Sequence, residues 1–181
     1  MPITIKTPDR EFFDQVNNRF LTIKGRTLTF EHSLLSVTKW ESKWHKPYLS
    51  KTEKTKEQAI DYLRCMCLDK VDDPTIFMAI DAKGMKEISD YIEDPMTATT
   101  FREDNKRQSH EIITNEIVYY WMMELNIPFD PCQKWHFNRL MTLIRVASIK
   151  KQPSKKMGKK EWAAERMALN AQRKAKYNSK G

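Results

Sequence analysis

Three groups of residues have types and spacing that invite chemistry. Cys65-x-Cys67 together with Cys132-x-x-x-His136 can be written as a zinc site of three thiolates and one imidazole. Cys65 and Cys67, however, stand two apart on a predicted helix and point to different faces, so ordinary buried cysteines are the simpler expectation. Cys132 and His136, four apart on a predicted helix, would face each other as nucleophile and base. No orienting carboxylate or oxyanion turn accompanies them, and His136 between Trp135 and Phe137 reads as a structural histidine. The third group is Lys155, Lys156, Lys159 and Lys160, with Trp162 beside them. Such a cluster contacts phosphates, docks on an acidic protein, or stays solvated. With 4 glycines in the chain, no glycine-rich phosphate loop is formed. No catalytic residue, metal or cofactor is expected, and the four lysines with Trp162 are the candidate partner-binding residues.

The charge distribution singles out the same region. Residues 150–181 hold eleven Lys and Arg against two Glu, so the whole net charge of +8 lies there and residues 1–149 are close to neutral. A nucleic-acid-binding domain usually carries its positive charge on its folded face, so this split disfavours that reading without removing it. Aromatic interleaving is thin, with Trp162 and Tyr177 only. No apolar run approaches the roughly 18 residues that span a bilayer. The start of the chain lacks the basic-then-apolar signal pattern, and 3 cysteines suggest no disulfide framework, so an intracellular setting is expected.

The elements that position these residues follow from periodicity. The run 19–30 alternates on both sides of Lys24-Gly25 and predicts a β-hairpin turning there. Ser33 is placed to cap a helix with Leu34, Val37, Trp40, Glu41 and Trp44 on one side, ended by Pro47. Thr55 and Gln58 form a capping box for a second helix bearing Ile60, Leu63, Met66 and Cys67. Residues 76–80 read as a short strand or helical turn, 85–94 as a short helix, and 95–109 as a polar loop.

Ser109 or Thr114 begins a further helix, with Ile113, Ile117, Tyr120 and Trp121 as its expected apolar face. A helix resuming at Cys132 carries Phe137, Leu140, Met141 and Ile144, and the pair predicts an antiparallel αα-hairpin. The adjacent Tyr119, Tyr120 and Trp121 point in three directions, so part of this aromatic surface is expected at an interface. After Pro153 the composition favours a polar helix anchored by Trp162 and Leu169, marginal without a partner. The expected architecture is α+β, mainly α: an N-terminal hairpin on a helical domain, residues 1–149, followed by a basic, helix-prone tail, 150–181.

Three segments add a resemblance: "TFEHSLLSVTKWESKW" (29–44), "EIVYYWMMELNIPFDPCQKWHFNRLMTLIRVASIK" (116–150) and "ALNAQRKAKYNSKG" (168–181). In this order they resemble the tail assembly chaperones of long-tailed, siphovirus-like bacteriophages. The resemblance implies a non-enzymatic protein of the host cytoplasm, absent from the mature virion. It would bind the helical tape measure protein, keep it soluble while the tail tube polymerises, and associate with itself. It also implies a short form and a frameshifted long form, for which Lys155-Lys156 and Lys159-Lys160 offer A-rich codons. The rival readings are a virion structural or connector protein and a nucleic-acid-binding protein acting through the basic tail.

Overall fold

The computed structural model of the chain describes residues 2–14, 18–50, 52–101, 112–151 and 159–177. Helix makes up 56% and strand 13% of the described residues, an α+β composition weighted to helix. The chain divides into two units, Met1–Ser148 and Ile149–Gly181.

The first unit opens with four short strands: β1 (Ile3–Lys6), β2 (Arg10–Asp14), β3 (Arg19–Ile23) and β4 (Thr27–Phe30). β1 pairs antiparallel with β4 and β2 with β3. The hairpin is present, but its reversal lies between Asp14 and Arg19 rather than at Lys24-Gly25. The pairs Ile3–Phe30 and Arg10–Ile23 keep one register, so the four strands are two halves of one ribbon. The ladder breaks where Pro8, which has no N–H, lies opposite Gly25. Side chains fill the gap: Arg26 N donates to Thr7 Oγ1 at 2.9 Å and Gly25 N to Asp9 Oδ1 at 2.6 Å. A Cβ on Gly25 would collide with the Thr7 carbonyl oxygen and lie 2.8 Å from the Pro8 carbonyl carbon. Gly25 is therefore required by close approach and not by a turn, which is why its turn-like signature misled.

The β1–β4 half is the buried half, with Ile5, Leu28 and Phe30 in the core. Helix α2 (Lys56–Met66) feeds its C-terminal end onto the β4 edge, where Leu68 N donates to Thr29 O and Glu31 N to Met66 O, both at 2.9 Å. The expected caps hold both helices that follow the ribbon. Ser33 and Ser36 bond reciprocally at the start of α1 (Leu34–Trp44), and Thr55 and Gln58 do so for α2. α1 stops before Pro47 because His45 adopts a left-handed conformation, φ 50°, and returns its N–H to Glu41 O. Residues Pro74–Ala79 form a 3-10 turn, and α3 (Ala82–Glu93) lies against β1, with Gly84 near Ile5.

Helix α4 (Asn115–Glu124) buries Asn115, Val118 and Met122. The expected face differs: Tyr120 is exposed, and Ile113, Ile117 and Trp121 are half-buried. This helix is apolar on most sides, so periodicity alone offers neighbouring stripes, and the contact with α1 selects one. The next helix does not begin at Cys132. Cys132 closes the short α5 (Phe129–Cys132), His136 forms a β-bridge to Ser33, and α6 runs from Phe137 to Lys151, burying Phe137, Leu140 and Ile144. Among the described residues, the second unit holds the last residues of α6 and the helix α7 (Lys159–Tyr177).

Candidate partner-binding surface

Each constellation with chemical promise has a definite place in the fold. His136 Nε2 lies 3.0 Å from the Tyr91 carbonyl oxygen, and its Nδ1 is buried with no hydrogen-bond partner. His136 therefore does not take the Cys132 proton, and the two residues belong to different elements. Neighbouring His32 has its Nδ1 2.5 Å from the Tyr62 hydroxyl, and its ring centroid stands 5.2 Å from that of His136. Tyr91 donates its hydroxyl to Glu31 at 2.5 Å. Burial, with His136 alongside, holds His32 down to about 3, and burial also lowers His136, so both imidazoles are neutral near pH 7. Buried tyrosines and neutral histidines make a polar knot in the core between α1, α2, α3 and α6, bonded throughout except at His136 Nδ1.

The cysteines are free, Cys132 buried and the other two half-buried. Burial, then Asp61, pushes the Cys65 thiol up to about 11, and burial raises Cys67. Thiols protonated near neutrality are weak nucleophiles and weak ligands. Among the described residues, no group of three His, Cys, Asp or Glu is placed to hold a metal ion. None of their helices is long and apolar enough to cross a membrane.

The candidate partner residues fall on or before α7. Lys155 and Lys156 lie outside the described residues, while Lys159 and Lys160 are the first two residues of the helix. The side chains that the structure describes in this helix begin at Trp162. Trp162 is 54% exposed, although tryptophan is among the most profitable side chains to bury. Met167, Leu169 and Tyr177 are exposed as well, as is every α7 side chain that the structure describes.

Alanines account for much of the helix propensity of α7, and the packing that normally stabilises a helix in a protein is missing from its described side chains. Sequence reasoning passed over Arg166, whose guanidinium carbon lies 5.0 Å from the centre of the Trp162 ring. Its spacing of four from Trp162 was the available signal. The first unit also presents apolar surface. Phe13 and Phe20, 50% and 70% exposed, contact each other across β2 and β3, with ring centroids 5.1 Å apart.

Comparisons of the chain with family models, with curated proteins and with solved structures return no match.

Proposed function

We propose that this chain is a tail assembly chaperone of long-tailed bacteriophages, which binds the tape measure protein in the host cytoplasm and keeps it soluble through α7. The observation that carries the reading is the exposure of Trp162, Met167, Leu169 and Tyr177 along a 19-residue basic helix. Such a helix gains most of its stability when it lies against another, and an elongated helical client offers that surface. The three resembling segments supply the identity of the client, and the near-neutral body with its charged arm is the division of labour that such a protein needs.

Co-expression with the neighbouring tape measure protein tests the proposal. Full-length protein is expected to hold the tape measure in solution and co-purify with it, and a chain ending at Ile149 is expected to do neither. Failure of both chains, together with abundant protein in purified virions by mass spectrometry, would replace the chaperone with a structural component of the particle.

A further inference from the structure

Trp162, Arg166, Leu169 and Arg173 recur along α7 at steps of four, three and four. At 3.6 residues per turn these positions form one stripe, and in heptad terms Trp162 and Leu169 occupy d while Arg166 and Arg173 occupy a. All four side chains are exposed. The contact between Arg166 and Trp162 keeps the guanidinium on the stripe beside the indole. The d positions gain from burial against any helix. The a positions are selective, because a guanidinium taken out of water without a counter-charge is strongly unfavourable, whereas a carboxylate satisfies it in a bidentate pair. At the a and d positions that face the stripe, a second copy of α7 does not provide that carboxylate. A parallel pair sets arginine against arginine, and an antiparallel pair sets it against Trp162 or Leu169.

We infer that α7 docks along a partner helix that is apolar at one heptad position and carries Asp or Glu at the positions facing Arg166 and Arg173. In the proposed function, on which the identity of the partner rests, this is the kind of tape measure segment that the chain holds.

The full-length chain is titrated with two labelled helical peptides of about four heptads, each with Leu at d, one with Glu and the other with Lys at a. Binding to the Glu peptide is expected to be about 10-fold tighter or more. The double substitution Arg166→Glu/Arg173→Glu should reverse the preference, and Arg166→Lys/Arg173→Lys should keep its direction, with helix content by circular dichroism unchanged in both.

Equal binding of the two peptides, or an unchanged preference in the charge-reversed variant, overturns the inference. So does an α7-dependent dimer without peptide affinity, which assigns the stripe to a second copy. Tighter binding of a short DNA duplex than of the Glu peptide also overturns it and assigns the arginines to phosphates. If Arg166→Glu/Arg173→Glu still holds the tape measure in solution as the unaltered chain does, the chaperone function survives and this seam falls. If the peptide preference is found while neither chain holds the tape measure, the seam stands and the client is a different protein.

Discussion

Glu41 caps the helix that begins at Asn115. Its Oε2 accepts both the backbone N–H of Asn115, at 2.8 Å, and the side-chain Nδ2, at 2.6 Å. Its Oε1 accepts the Tyr48 N–H at 2.6 Å. Thr114 stands at the N-cap position of α4 but makes no side-chain capping bond, so a carboxylate 74 residues away replaces it. One buried acid thereby joins α1, the segment after it and the start of α4.

Glu41→Gln puts an amide donor among three N–H donors. Hydrogen bonds to a charged group contribute about 1.5–3 kcal/mol each, so a loss of roughly 3 kcal/mol of folding stability is expected. Urea denaturation measures it, and a change below about 0.5 kcal/mol would show that the carboxylate is not holding α4.

Gly25→Ala should destabilise the ribbon by roughly 2 kcal/mol, because the added methyl meets the backbone of Thr7 and Pro8 rather than a side chain that can move away. Lys24→Ala, next to it and exposed, should cost little. If Gly25→Ala proves as mild as Lys24→Ala in thermal denaturation, the close approach across the ribbon is not tight.

Acid should weaken the fold through His32 and His136. Both pKa values are depressed in the folded chain, so the unfolded chain binds protons first as pH falls through about 6.5, and stability falls with it. For His32 the loss continues down to about 3. Full neutrality of one such histidine corresponds to about 1.4 kcal/mol per pH unit within that window. Chemical denaturation at pH 7 and pH 5 should show a smaller drop in His32→Gln than in the unaltered chain, and an equal drop would remove His32 as the cause.

Trp162→Ala separates binding from folding. Trp162 is more than half exposed, so the thermal midpoint should not move, while affinity for the tape measure protein proposed as its client should fall about 10-fold or more, as for an aromatic anchor at an interface. A lowered midpoint with unchanged affinity would make Trp162 a structural residue.

Much of the local structure was readable in the residues. Ser33, Thr55 and Gln58 announced their caps because the bonds they make span three residues and need no distant partner. The exposed basic helix was equally legible, since its Ala, Lys and Arg content states a preference that no tertiary contact among the described side chains overrides. Of the seam on α7, Trp162 and Leu169 stood out as large apolar residues in a polar run, whereas Arg166 and Arg173 were hidden among other basic residues.

The amino-acid sequence by itself determined the α+β composition, the capped starts of α1 and α2, and the segregation of positive charge into residues 150–181, because these depend on neighbours within a turn or on simple counting. The tertiary structure alone decided that Gly25 faces Pro8, that α4 buries Val118 and Met122 rather than Tyr120, and that Cys132 and His136 part company. Those outcomes rest on contacts between residues far apart in the chain. A glycine serves a turn or a close approach equally well, and an all-round apolar helix can bury any side. Only the surfaces brought against them, Thr7 and Pro8 in one case and α1 with Glu41 in the other, select the result.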